Sequence, residues 1–239
     1  MIYTKENFPE IASERHQILT AVTYGLFGLL FVAMLVLLVA LPLSIQLEHN
    51  SQLSKNEMIF NAIYFPLVLC GIWGLYKNYQ RHRRKKVILI YIDRDGLHHQ
   101  QFDGTIKSVL YKELGKSTEP YINDIDRKIG TKYSPSYIFG FKDGVRVPIH
   151  FSTAENGLSY IPKNRNQLIA HFLKGAALFC PHLKVSPAVY SDYFIDPNTL
   201  EFNKKAQGIT YFIIFIILIA VLLGIDLLTK YTMGFSLLF

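Results

Sequence analysis

Residues 76–104 read YKNYQRHRRKKVILIYIDRDGLHHQQFDG, and this stretch divides the chain into two kinds of sequence. The residues before it are mostly apolar, whereas the residues after it, up to a last apolar run, have the mixed composition of a water-soluble domain. Within ten residues it contains six basic side chains, namely Lys77, Arg81, Arg83, Arg84, Lys85 and Lys86. A run of β-branched and aliphatic residues comes directly after them. The stretch therefore predicts the passage from a membrane-embedded part to a folded domain.

The net charge of +7 is concentrated in this stretch. Residues 77–86 hold six basic and no acidic side chains, whereas residues 87–207 hold 15 basic and 12 acidic ones. A nucleic-acid-binding domain is expected to carry its basic residues on the folded surface. The distribution therefore argues against nucleic acid as a partner. The basic run itself has two interpretations, a topology signal and a site of attraction to anionic lipid.

Three long apolar segments predict three transmembrane helices. The first spans about residues 18–43 and has no charged side chain, the second covers 58–76, and the third covers 208–228. At about 1.5 Å of rise per residue, each is long enough to cross the hydrocarbon core. Residues 1–17 lack the basic start of a signal peptide, and the apolar run after them is too long for one. We therefore interpret the first segment as a retained span.

The basic residues near the ends of these segments predict an orientation. Six follow the second span and Lys204 and Lys205 precede the third, whereas Lys55 alone lies in the first loop and Lys230 alone after the third span. An excess of lysine and arginine marks the cytoplasmic side. We therefore expect residues 1–17 and the central domain in the cytoplasm and the tail 229–239 on the extracytoplasmic side.

The central segment 87–181 predicts one α+β domain. Strands over 87–92, 97–102 and 105–111 are separated by Gly-containing turns, and a second hairpin turns at Asp143-Gly144. A helix from about 164 to 180 carries an apolar stripe that suits the open side of a sheet. We interpret residues 182–207 as a linker with a short strand near 193–195.

The second hairpin holds the candidate binding face. Tyr137, Phe139 and Phe141 alternate on one face of its first strand, and four apolar residues alternate along the return strand, namely Val145, Val147, Ile149 and Phe151. That alternation places Arg146 and His150 on the other side of the return strand. Tyr137, Arg146 and His150 are the candidate binding residues. An ordinary half-exposed sheet surface is the alternative interpretation.

No pattern in the sequence indicates reaction chemistry. There is no Gly-rich phosphate loop, no HExxH motif and no nucleophile elbow. His98 and His99 are the most metal-like pair, but neighbouring residues on a strand point to opposite faces and do not easily bind one ion. We predict no catalytic residue, no cofactor and no metal site. Cys70 and Cys180 lie in different parts of the chain, which argues against a disulfide.

Residues 88–114 read ILIYIDRDGLHHQQFDGTIKSVLYKEL. They come after the predicted transmembrane hairpin and the basic run that ends it. This order resembles the bacterial PH-like domains of the YcxB-like type, with Gly96, Gly104, Tyr111 and Leu114 at the expected places. The later hairpin FGFKDGVRVPIHF (139–151) and the helix ending in ALFCP (177–181) are also similar. The family often has tryptophan where this chain has Tyr111, and the third span departs from its simplest layout.

The resemblance implies a PH-like antiparallel barrel capped by one C-terminal helix, in a bacterial cytoplasmic membrane. It also implies a binding scaffold and not an enzyme. Our leading hypothesis is a non-enzymatic integral membrane protein that binds a protein partner at the inner face of that membrane. Two alternatives are an immunity protein that neutralises a cognate toxin and a module that senses anionic lipid. The expected partners are the lipid bilayer and a protein.

Overall fold

The computed structural model describes residues 4–48, 55–130, 137–153 and 160–233. Three long helices are α1 (Gln17–Glu48), α2 (Lys55–Arg84) and α5 (Lys204–Met233), and two shorter ones are α3 (Arg165–Phe179) and α4 (Pro187–Asp192). The strands are β1 (Ile11–Ala12), β2 (Val87–Ile92), β3 (Gly96–Gln101), β4 (Ile106–Leu110), β5 (Asp126–Lys128), β6 (Tyr137–Lys142) and β7 (Val145–Ile149). A 3-10 turn covers Tyr111–Glu113. The α+β class predicted for the central segment is confirmed.

The strands form two antiparallel sheets. One has the order β1-β2-β3-β4 and the other the order β5-β6-β7. Their turns carry glycine where the sequence places it, since Gly96, Gly104 and Gly144 all have positive φ. The predicted meander and the predicted second hairpin are therefore both present.

The sheets do not close into the expected barrel. Among the described residues, no ladder joins them, and β4 is an edge strand of its sheet. The segment between β4 and β5 contains the 3-10 turn and Pro120, and it makes isolated bridges from Gly115 to Phe141 and from Ile125 to Val185. Hydrogen bonds to polar side chains also fix this segment in place. The Asp124 carboxylate, for example, accepts hydrogen bonds from the amides of Ser117 (2.6 Å) and Lys184 (2.8 Å). The architecture is two packed sheets and not a barrel.

Helix α3 forms the core together with both sheets. Leu168, Ile169, Phe172 and Leu173 are fully buried, as the apolar stripe predicts. They join side chains from the first sheet and the second sheet in one cluster, including Ile90, Ile92 and Leu97 from the first and Ile138 and Ile149 from the second. Burial of such side chains stabilises the fold by roughly 1.5–3 kcal/mol each.

Two segments outside the predicted domain complete this core. Phe8 is buried and stacks on His171 with 4.3 Å between ring centroids, and β1 pairs with β2 through Ile11 and Ile92. C-terminal to the predicted domain, Val189 in α4 and Ile195 after it are buried in the same cluster. Residues 4–12 and 182–195 therefore pack as parts of the domain, although their polar or proline-rich sequences suggest a tail and a linker.

Burial of His171 lowers the pKa of its imidazole. The hydrogen bond to Pro9 acts in the opposite direction, and nearby Lys174 lowers the pKa further. His171 Nε2 lies 2.8 Å from the carbonyl oxygen of Pro9. The unfolded chain gains a proton near pH 6.5, whereas the folded chain resists protonation until a lower pH. We therefore expect the free energy of unfolding to decrease below about pH 6.5, by at most about 1.4 kcal/mol per pH unit.

Denaturation curves of the purified chain between pH 7.5 and 5 measure this effect. His171→Gln should flatten the pH dependence, because the histidine whose pKa burial lowers is then absent. Equal slopes for the wild type and His171→Gln would rule out this role of His171.

Two helical stretches are long and apolar enough to cross a membrane. They are Gln17–Val36, with a mean hydropathy of 2.2, and Lys204–Tyr231, with 2.9. Among the described residues, α2 does not meet the same criterion. Two candidate spans are therefore found where the sequence predicts three. The apolar part of α2 contains Pro66, and the helix continues through the basic run to Arg84. The basic run is therefore mostly helical.

The domain-side ends of the long helices are fastened to the domain. The amide of His16 donates to the carbonyl oxygen of Ile161 (2.8 Å), and the amide of Ile161 donates to Thr20 Oγ1 (3.1 Å). The amide of Phe102 donates to the carbonyl oxygen of Lys86 (2.9 Å) just after α2. These hydrogen bonds fix the start of α1 and the chain after α2 against the domain.

Candidate functional site: the outer face of the three-stranded sheet

The register of β6 and β7 places the candidate residues on one face. Phe139 lies opposite Pro148 and Phe141 opposite Arg146, and directly opposed residues share a face of an antiparallel pair. Tyr137 therefore shares this face with Arg146 and His150. The Tyr137 and His150 rings lie 5.4 Å apart. We define the outer face as Asp126, Lys128, Tyr137, Phe139, Phe141, Arg146, Pro148 and His150.

The opposite face of the same hairpin enters the core. Ile138 and Ile149 are opposed and fully buried. A Cβ atom on Gly140 would lie 3.0 Å from a methyl group of Leu114, so the glycine allows the segment after β4 to pack closely. Because one face is fixed by the core, the other face is held on a rigid support.

Two cations lie over aromatic rings of the outer face. Lys128 Nζ is 5.7 Å from the centroid of Tyr137, and the guanidinium carbon of Arg146 is 5.0 Å from the centroid of Phe139. Such contacts attract a cation to the negative face of an aromatic ring. Phe139 and Phe141 are buried, whereas Lys128, Arg146 and Pro148 are exposed and Tyr137 and His150 are half-buried. The face therefore presents a mixed aromatic and cationic surface.

Glu119 fixes the orientation of Arg146. Arg146 Nε donates to one carboxylate oxygen at 2.6 Å, and its Nη2 donates to the other. The hydrogen bond from Arg146 lowers the pKa of the Glu119 carboxyl. A two-point pair of this kind sets the plane of the guanidinium as well as its position. Tyr121, two residues further along this loop, is fully exposed.

Sequence reasoning missed Lys128 as part of the outer face and Glu119 as the partner of Arg146. Each contacts its partner across strands or loops, and no local pattern marks such a contact. The basic run lies elsewhere, at the end of α2. There Arg83 lies 5.2 Å from the ring of Phe102, and Lys86 lies 5.2 Å from Tyr79 and 5.8 Å from Tyr24 in α1.

The adjacent histidines point to different faces, as strand geometry predicts. His98 Nδ1 is 2.7 Å from Ser108 Oγ and its Nε2 is 3.0 Å from Asp93 Oδ1, whereas His99 Nε2 is 2.7 Å from the carbonyl oxygen of His150. His99 thus links the two sheets, and His98 links the β2–β3 turn to β4. In the described part of the chain, no three His, Cys, Asp or Glu side chains are placed to hold a metal ion.

Comparisons of the chain with protein-family models, with curated proteins and with solved structures find no match. The similarity to YcxB-like PH-like domains therefore stays a prediction. Conclusions about function rest on the geometry of the outer face and on the way in which the domain is attached to its long helices.

Proposed function

We propose that this chain is a non-enzymatic integral membrane protein whose α+β domain binds a protein partner through the outer face. The observation that carries the proposal is the arrangement of the outer face, where Tyr137 and His150 are in contact and Arg146 lies on the same face, on a support fixed by the core. Tyrosine and arginine are enriched at the energetic centres of protein interfaces. Arg146, held in one plane by Glu119, loses little conformational entropy when a partner binds.

The proposed membrane attachment uses all three long helices. α1 starts at the domain, and the chain returns to the domain at Lys86 after α2. If α1 crosses the bilayer, α2 must cross it in the opposite direction to reach that position. The hydroxyl of Tyr64 in α2 donates to the carbonyl oxygen of Leu38 in α1 (2.8 Å), which supports a packed hairpin.

The proposed orientation is based on the basic residues. The exposed basic run at the end of α2 and Lys204 and Lys205 at the start of α5 all lie on the domain side. This favours the domain and residues 4–16 on the cytoplasmic side of a bacterial inner membrane. The contacts that fasten the helix ends involve Ile161 and Phe102, which lie outside the outer face. These anchoring contacts therefore do not occupy the outer face.

A copurification experiment tests the proposal. The full chain is extracted from native membranes in mild detergent, and the proteins that remain bound are quantified. Tyr137→Ala and Arg146→Glu should each lower the affinity for the partner by about 30-fold, the effect of removing a hot-spot residue worth about 2 kcal/mol. Arg94→Glu makes the same charge change at an exposed arginine in the β2–β3 turn and should retain the partner.

Equal recovery of the partner with wild type, Arg146→Glu and Tyr137→Ala would contradict the assignment of the outer face. Recovery of the wild-type chain in the soluble fraction after a carbonate wash would contradict the membrane attachment.

A further inference from the structure

We propose that a cavity between α3 and α5 binds the phosphate group of an anionic phospholipid headgroup. The inference rests on the membrane attachment proposed above but not on the outer face. The cavity has a volume of about 500 Å³ and lies between the first turn of α3 and the first two turns of α5. That size falls within the range of roughly 300–1,000 Å³ typical of small-molecule sites.

The charge of the cavity favours an anion. Lys163, Arg165 and Lys204 line it, and Glu14 is the acidic residue among its lining side chains. Three basic groups minus one acidic group leave a local charge of +2. Lys163 Nζ is 3.9 Å from the Glu14 carboxylate, and both side chains are mostly exposed, so this pair is weak and does not neutralise the site.

Arg165 supplies a hydrogen-bond donor that needs an acceptor. Its Nε is buried and has no hydrogen-bond partner among the described residues. The guanidinium carbon lies 5.7 Å from the centroid of Tyr193, and Arg165 is among the residues that line the cavity. A buried donor without an acceptor is unfavourable. A small rotation of the Arg165 side chain toward a bound phosphate oxygen would give this donor an acceptor.

The start of α3 adds backbone donors to the same cavity. Asn164 precedes the helix, but its side chain does not cap it. Instead the Asn164 side-chain amide donates to the carbonyl oxygen of Ala12 (2.9 Å) and its Oδ1 accepts from the amide of Glu14 (2.8 Å). The first amides of α3 are therefore left without a side-chain cap, next to the three basic groups.

The position of the cavity favours a lipid over a free anion. Lys204, Gln207 and Tyr211 line it from successive turns at the domain end of α5, and the apolar run of that helix starts at Ile209. A cavity at this level of a membrane-spanning helix lies among the phosphate groups of the bilayer, where tyrosine is also enriched. A headgroup with a net negative charge complements the local +2.

Lipid titration of the full chain in detergent tests the site. Phosphatidylglycerol and phosphatidylcholine with identical short acyl chains are added, and bound lipid is counted by native mass spectrometry. We expect saturable binding of phosphatidylglycerol, with an affinity about tenfold lower for Lys204→Gln and for Arg165→Gln. Lys205→Gln is the matched control, because Lys205 is the next residue of α5, is exposed and does not line the cavity.

Equal losses for Lys204→Gln and Lys205→Gln would show diffuse attraction and overturn the proposal, as would equal binding of the two lipids. Displacement of phosphatidylglycerol by an equal concentration of inorganic phosphate would identify a free anion and overturn the lipid assignment. A carbonate wash distinguishes the two proposals. Wild type that stays in the membrane but lacks headgroup selectivity contradicts only the cavity, whereas soluble wild type contradicts the membrane attachment.

Discussion

Gly96→Ala should destabilise the chain by about 3 kcal/mol or more, a large part of the roughly 5–15 kcal/mol that stabilises a typical domain. Gly96 begins β3 with a φ of +155°, and a Cβ atom there would lie 2.2 Å from the carbonyl oxygen of Val109 and 2.8 Å from Cα of Leu110. Both atoms belong to the backbone of β4, which cannot turn aside as a side chain can. The substitution must therefore separate β3 from β4.

Gly104→Ala is the matched control, because it changes the same residue type in the next turn. Gly104 has a φ of +85°, but no atom lies within 4 Å of the position of its Cβ. Gly104→Ala should lower the free energy of unfolding only through backbone strain, by about 1–2 kcal/mol. Chemical denaturation of the purified variants gives both values. Equal losses for the two variants would mean that the close approach of β3 and β4 at Gly96 is wrong.

Gly175→Ala should also destabilise the chain by about 3 kcal/mol, although alanine favours an isolated helix over glycine by about 1 kcal/mol. A Cβ on Gly175 would lie 2.0 Å from Tyr111 Oη and 2.4 Å from its Cζ. Tyr111 is fully buried and stacks on Phe172 and Phe179, with centroid distances of 5.3 and 5.4 Å. The two stacked rings limit how far the Tyr111 ring can shift away from an added methyl group.

Two comparisons isolate the contact between Gly175 and Tyr111. Gly208→Ala in α5, where no atom lies within 4 Å, should be neutral or slightly stabilising. In a Tyr111→Ala background, Gly175→Ala should no longer destabilise the chain, because the opposing ring is absent. A stabilising effect of Gly175→Ala in the wild-type chain would contradict the packing of α3 on the 3-10 turn.

The elements that could be predicted from the sequence are those with local signals. Asp-Gly turns and alternating apolar residues predict the strands on either side of Asp143-Gly144, and the spacing from Leu168 to Phe179 predicts α3. Local patterns cannot predict which distant segments complete the core. Phe8 lies in a polar segment and reaches His171 across most of the chain, and Val189 lies in a segment that suggests a linker.

The candidate site likewise combines features that local sequence patterns predict with features that they do not. Alternation places Tyr137, Arg146 and His150 on predictable sides of their strands, but the register that brings Tyr137 beside His150 is a property of the folded hairpin. Glu119 belongs to an irregular loop, and only the structure shows that it pairs with Arg146. The cavity between α3 and α5 likewise combines residues from three separate parts of the sequence, and no single motif marks it.

Site-specific photocrosslinking in native membranes tests the central claim most directly, because it reports where the membrane-anchored domain meets another protein. A photoreactive phenylalanine analogue in place of Tyr137 should give a discrete protein adduct in the membrane fraction, and Arg146→Glu should abolish that adduct. The same analogue in place of Ile88, an exposed residue of β2 in the other sheet, should give none. The account is contradicted if both positions give the same adducts, or if neither gives one while the purified chain turns over a substrate.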